Sequence, residues 1–257
     1  MPKRRDGTSM GGTRDRFQTT LWTEIANAKT LDETRRREAV NELIQKYWKP
    51  VYCYLRRKGR SNESAKDMTQ GFFHEVVLGR KLIQQADQAK GRFRTFLLTA
   101  LDRYATDVYY KETAGKRSSK AQIMPLETND VASLLETQSK SKPDEVFNYA
   151  WASEILDQVL AKVKEDCFKA GRETYWNVFY AKVVTPIICG AETPELRELC
   201  VKYGIEDQAK ASNMIAYVKG RFRSTMKRYL RQFVQSDSEV ENEFNEIFSI
   251  LSQSSPR

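Results

Sequence analysis

Three stretches of this chain hold side chains whose types and spacing suit contact with another molecule. From Gln208 to Gln235 there are seven basic residues (Lys210, Lys219, Arg221, Arg223, Lys227, Arg228, Arg231) and no acidic one. A helix that is merely solvated usually mixes signs, whereas uniform positive charge suits neutralisation of a phosphate backbone. At the start of this stretch Gln208, Lys210, Ser212 and Asn213 can each hydrogen-bond to base edges. The second stretch, Lys90-Gly91-Arg92-Phe93-Arg94-Thr95-Phe96, alternates cations with aromatics, and Arg103, Tyr104, Tyr109, Tyr110, Lys111, Lys116 and Arg117 follow it. Cations hold phosphates while aromatic faces stack on unpaired bases, at about 1–3 kcal/mol per base, so this interleaving suits capture of single-stranded DNA. Phe93, Phe96 and Tyr104 also stand at core spacing. Phe96 is expected in the core, with the Arg and Lys residues as the DNA contacts. In the third stretch Asp67, Thr69, Gln70 and His74 lie off the apolar stripe of their helix and form a polar strip beside large aromatics.

The elements that position these groups read as all-α, because apolar residues recur at three- and four-residue steps and no alternating run argues for a sheet. A basic arm at 1–18 precedes a helical unit at 19–113, which opens with a short helical pattern over Thr20–Ala28. Within it, Leu43, Ile44, Tyr47 and Trp48 share a stripe that Pro50 interrupts, so a kinked or restarted helix is expected before Gly59 ends it. Asn62 is the expected cap of the next helix. Residues 114–144 are rich in Gly, Lys, Ser, Thr, Asn and Pro and read as a linker with at most a short helix near Val131–Leu135. A second helical unit spans 145–235, and an acidic amphipathic tail spans 236–257.

The second unit contains the pattern of a helix-turn-helix. Thr193 with Pro194 is the expected start of its first helix, whose stripe is Leu196, Leu199, Cys200 and Tyr203. Gly204 supplies the left-handed stop, and Ile205 plugs the space between the helices. Ala211, Met214, Ile215, Val218, Phe222, Met226 and Leu230 form the stripe of the second helix, which begins near Asp207. In such a motif the base-reading residues lie in the first turns of the second helix. The bland alternative is a basic surface helix that touches nothing specific.

Bulk properties narrow the classes further. The chain has 257 residues with 43 Lys+Arg against 34 Asp+Glu, a net charge of +9 that favours a polyanionic partner. No stretch approaches a membrane span, and the start of the chain lacks the apolar core of a secretory signal. Cys53, Cys167, Cys189 and Cys200 are scattered without a CxxC pair, which suits reduced thiols and a cytoplasmic protein. His74, the only histidine, has no partner at ligand spacing, so no metal or other cofactor is expected. Phosphate-loop and nucleophile-elbow motifs are absent, and no residue set supports an enzyme.

In combination, YWKPVYCYLRRKG (Tyr47–Gly59), AKDMTQGFFHEVV (Ala65–Val77) and KGRFRTFLLTAL (Lys90–Leu101) resemble the sigma-2 domain of extracytoplasmic-function sigma factors. The similarity is nearest to the divergent ECF-like group of planctomycetes and related bacteria, whose threonine-tryptophan opening resembles TTLWTEI (Thr19–Ile25). ELCVKYGI and the long basic helix resemble the sigma-4 domain. The resemblance implies a promoter-recognition subunit that binds core RNA polymerase at the β′ clamp and the β flap. Asp67, Gln70 and Phe73, with His74 nearby, would then meet the clamp. Arg92, Arg94, Arg103, Tyr109, Lys111, Lys116 and Arg117 would open and read the −10 element. Gln208, Lys210, Ser212, Asn213, Lys219, Arg221 and Arg223 would read the −35 duplex. It also implies sequestration by an anti-sigma or other inhibitory protein. Gly71 departs from the relatives, which usually carry Glu there. The competing expectations are a sigma-like module held by a regulator, and a helix-turn-helix regulator that acts without polymerase.

Overall fold

The computed structural model describes residues 33–79, 82, 92–113, 134–136, 138, 140–189, 191–231 and 236–253. Among these residues every regular element is a helix and none is a strand, so the all-α expectation holds. The expected arm at 1–18 and the helix over Thr20–Ala28 lie outside the described residues.

The first helix, α1 (Glu33–Arg57), is continuous through Pro50 rather than restarting after it. Leu43, Tyr47, Val51 and Leu55 recur along one side of it and are all buried, and that buried side holds the helix together across the missing Pro N–H. Gly59 stops α1 at φ 88°, a left-handed conformation that glycine adopts without Cβ strain. The turn is closed by the Arg60 N–H donating to the Leu55 carbonyl at 3.2 Å. Helix α2 (Asn62–Gly71) is capped by Ser61, one residue before the expected Asn62, with the Ser61 hydroxyl accepting from the Ser64 N–H. Asn62 instead accepts a hydrogen bond from the Tyr52 hydroxyl at 2.6 Å. From Phe72 to Gly79 the helix widens into π-helical turns. Gly71 sits where α2 meets α3 (Phe93–Thr113), and a Cβ there would overlap the Tyr104 hydroxyl. The chain has Gly at this position because a buried tyrosine occupies the space a side chain would need.

Helix α4 (Pro143–Lys169) begins with Pro at its first position, where the absent N–H costs nothing. It lies along α1, and this is the most extensive helix-on-helix packing among the described residues. Tyr47 stacks on Phe147 (6.4 Å between centroids) and meets Phe93 edge-on at 5.8 Å. One buried cluster therefore runs from Leu43 of α1 through Trp151 of α4 to Ile247 near the C-terminus. Between the units the described residues include a helical turn at Leu134–Glu136, whose Leu134 joins the same cluster. Helix α5 (Glu173–Phe179) continues through π-helical turns (Tyr180–Val184) into α6 (Thr185–Cys189). Then come α7 (Leu196–Tyr203), α8 (Gln208–Leu230) and α9 (Asp237–Gln253), with α8 packed on α4, α5 and α9. Cys53, Cys167 and Cys200 are free and buried, and desolvation pushes the Cys53 thiol up to about 12. None of the described helices is long and apolar enough to cross a membrane.

Candidate nucleic-acid interface

Helices α7 and α8 meet through the turn that the sequence announces. Gly204 has φ 63° and ψ 39°, and the Ile205 N–H donates to the Cys200 carbonyl at 2.9 Å, so the chain reverses within one residue. Ile205 is buried between the two helices. The Asp207 carboxylate caps α8 by accepting from the Lys210 N–H at 2.6 Å, satisfying a donor the first turn leaves open. The start of α7 differs from expectation. Residues 191–195 are not helical, and the Glu198 carboxylate accepts from the Glu195 N–H at 3.2 Å to begin the helix there. The Pro194 carbonyl accepts from Lys182 Nζ at 2.6 Å, which ties this lead-in to the π-helical turns rather than to a Thr193 cap.

The apolar stripe of α8 is buried as its spacing predicts, from Ala211 through Val218 to Leu230. Everything nominated on its outer side is exposed: Gln208, Lys210, Ser212, Asn213, Lys219, Arg221 and Arg223. Ser212, Lys219 and Arg223 are seven and four residues apart, which puts them on one side of the helix. Lys219 has no ion-pair partner among the described residues. Lys210 meets the local Glu206 at 3.2 Å. Farther along, the cations are matched. Arg221 turns toward α4 and meets Asp166 at 3.2 Å. Lys227 donates to Glu241 of α9, and Arg223 lies 3.7 Å from the same carboxylate and over the Phe244 ring. The Lys227 hydrogen bond is the main reason the Glu241 carboxyl titrates below its ordinary range. Arg231 meets Asp237 at 2.9 Å.

The second cationic stretch is arranged differently. Arg94, expected at a DNA surface, is only 6% exposed. Its guanidinium lies 4.0 Å from the Trp151 ring centroid and meets Glu246 at 2.7 Å and Glu243 at 3.5 Å, both on α9. Arg92 meets Glu243 at 3.1 Å and also pairs with Glu246, so this second expected DNA contact is likewise engaged. Glu243 is 3% exposed; burial drives its carboxyl above the ordinary Glu range, against the pull of Arg94 and Arg92. At 3.5 Å the Arg94–Glu243 contact is an ion pair rather than a hydrogen bond, and Glu243 Oε2 and Arg94 Nη1 are buried without a hydrogen-bond partner among the described residues. Beyond the first turn of α3, Arg103, Tyr109, Tyr110 and Lys111 are all exposed, with Arg103 and Tyr110 on one side. Lys116 and Arg117 lie outside the described residues. Phe96 packs against the core cluster, as its spacing predicts.

On α2 the polar strip is narrower than the sequence implies. Asp67 and His74 are exposed and Gln70 is half-buried. Thr69 is buried, with its hydroxyl donating to the Ala65 carbonyl at 2.7 Å. Phe73, expected to touch a partner, is buried and stacked on Trp48 at 6.1 Å, so it supports the strip from beneath. Gln70 Oε1 is buried without a hydrogen-bond partner among the described residues.

Family models, curated proteins and solved structures give no match to this chain. Its chemistry therefore rests on the side chains themselves. The described residues bring no three His, Cys, Asp or Glu side chains together to hold a metal. They do leave Gln208, Lys210, Ser212 and Asn213 exposed at the start of α8, and Arg103, Tyr109, Tyr110 and Lys111 exposed on α3. What sequence reasoning missed is the set Glu241, Glu243, Glu246 and Trp151. One signal was available: Glu243 stands three residues after Val240 and four before Ile247, inside the apolar stripe of α9. A carboxylate there needs a cation from elsewhere in the chain.

Proposed function

We propose that this chain is a sigma-type transcription initiation factor. Helix α8 reads the −35 duplex through Gln208, Lys210, Ser212 and Asn213, with Lys219 on the phosphates. The exposed Arg103, Tyr109 and Lys111 of α3 engage the melted −10 strand, and the α2 face with Asp67 and Gln70 docks on core RNA polymerase. In this reading the units at 19–113 and 145–235 act on one promoter together, joined by 114–144. The observation that carries it is the outer side of the first half of α8, which is exposed, free of acids and presented by a left-handed glycine turn. Such a turn lets a helix enter a major groove end-first, where polar side chains meet base edges. The polymerase part is carried by the resemblance of the first unit and by the exposure of Asp67.

Run-off transcription with purified core polymerase and a promoter library tests the proposal. Wild type is expected to start transcription at discrete sites. The double variant Asp67→Ala/Gln70→Ala is expected to lose polymerase binding while keeping duplex binding. The burial of Arg94 and Phe73 favours a second reading, a helix-turn-helix regulator that works without polymerase. Duplex binding with no initiation by wild type would select it.

A further inference from the structure

We propose that the acidic C-terminal helix α9 is an internal competitor of DNA, a strap that occupies cations of both units until nucleic acid displaces it. The inference rests on the functional reading above and concerns how the same surfaces are controlled.

The acids of α9 are split between two places far apart in sequence. Asp237 and Glu241 take Arg231, Lys227 and Arg223 at the end of α8. Glu243 and Glu246 take Arg92 and Arg94 at the start of α3. These are carboxylates where a phosphate backbone would supply its own oxygens, and Arg forks bind either anion. Arg223 shares its side of α8 with Ser212 and Lys219, so a duplex laid along that side meets the cations that Glu241 now holds. Arg92 and Arg94 reach a single strand only once Glu243 and Glu246 have left.

The helix is built to be held and released. Val240 and Ile247 are buried, and Phe248 meets Phe222 edge-on at 6.3 Å, which gives α9 an apolar seat. Against that seat stands Glu243, a carboxylate buried with an incompletely satisfied oxygen. A docked helix with a buried charge holds less firmly than a wholly apolar one, because that charge is tolerated only while Arg94 and Arg92 face it. A competing polyanion that draws Arg92 and Arg94 away therefore weakens the seat as well as the ion pairs.

The test uses the full chain. Glu241→Gln/Glu243→Gln/Glu246→Gln is compared with wild type for binding a fluorescein-labelled duplex and a labelled single strand across a salt series. A control, Glu75→Gln/Glu173→Gln/Glu192→Gln, changes net charge equally at exposed acids away from α9. The strap variant is expected to bind about tenfold more tightly than wild type, with a salt slope steeper by about 0.9 for each cation freed. The control is expected to gain much less. In parallel, hydrogen exchange on unmodified wild type is expected to show the amides of α9 losing protection when duplex is added, a readout that does not depend on the variant folding. Equal affinity for strap variant and wild type, an equal gain in the control, or an α9 that stays protected on saturated DNA would overturn the inference alone. Absence of DNA binding by every form at low salt would overturn the functional reading and the inference with it.

Discussion

The beginning of α8 and the beginning of α3 read alike in sequence and end up in opposite states. Each sets basic residues among neighbours suited to nucleic acid. On α8 the polar and basic side chains of the first turns stay in water, and Lys219 faces outward without an ionic partner among the described residues. On α3, Arg94 lies under α9 against Trp151, and Arg92 is ion-paired beside it. The difference comes from carboxylates about 150 positions away, as in the bond from Arg94 to Glu246. A run of positive charge thus marks where anions are wanted without saying which anion arrives. Local sequence cannot separate a phosphate site from a site the protein fills itself.

The largest expected effect breaks this contrast in stability. Arg94→Met removes the buried cation facing Glu243, leaves only the more exposed Arg92 beside it, and should cost about 3 kcal/mol, the low end of the penalty for breaking a buried ion pair. Arg103→Ala, on the exposed part of the same helix, should stay within about 0.5 kcal/mol. Urea unfolding monitored by circular dichroism measures both, and equal effects would remove the distinction. Next is Gly71→Ala, which places a methyl against the Tyr104 hydroxyl that helps set α3 on α2. Overpacking of this kind should cost about 1–3 kcal/mol. Adding Tyr104→Phe should recover part of the loss, because it deletes the overlapping oxygen, and a double-mutant cycle tests that recovery.

A smaller effect separates the two regions by pH. Burial lifts the Glu243 carboxyl above its ordinary range, so the folded chain holds that proton to higher pH than the unfolded chain does. Stability should therefore fall as pH rises from the ordinary Glu value, about 4.3, to the raised one. Glu243→Gln should flatten that fall in urea midpoints measured across the acid range, whereas substitutions at Lys219 should leave it intact. The smallest effect concerns DNA alone. Lys219→Ala should reduce the salt slope of duplex binding by about 0.9, one phosphate contact, without changing stability. Arg221→Ala should do less, because Asp166 already competes for that guanidinium.

The pair of helices α7 and α8 and the glycine turn between them were legible because every feature of them is local. Gly204 must be left-handed for the turn, Ile205 is the apolar plug, and the three-and-four spacing of Ala211 to Leu230 gives the buried stripe. Helix starts were legible to within a few residues: Ser61 supplies the capping oxygen expected of Asn62, and α7 starts at Glu195, whose N–H donates to the Glu198 carboxylate, rather than at Thr193. The packing of α4 along α1 was not legible, because an apolar stripe does not name the stripe it will meet. The same limit put Arg94 on the surface, because a cation between two aromatics suits either side of a fold until the third element is known. For Arg94 that element is α9, whose buried Glu243 was the one clue in the sequence.

The central claim, that the first turns of α8 read base edges, is tested most directly by selecting bound duplexes from a random library with wild type and with Asn213→Ala. The account predicts a definite consensus for wild type and relaxed preference at one or two adjacent positions for the variant, with affinity for unrelated duplexes little changed. Recovery of no consensus by wild type, or of the same consensus undiminished by the variant, would contradict it.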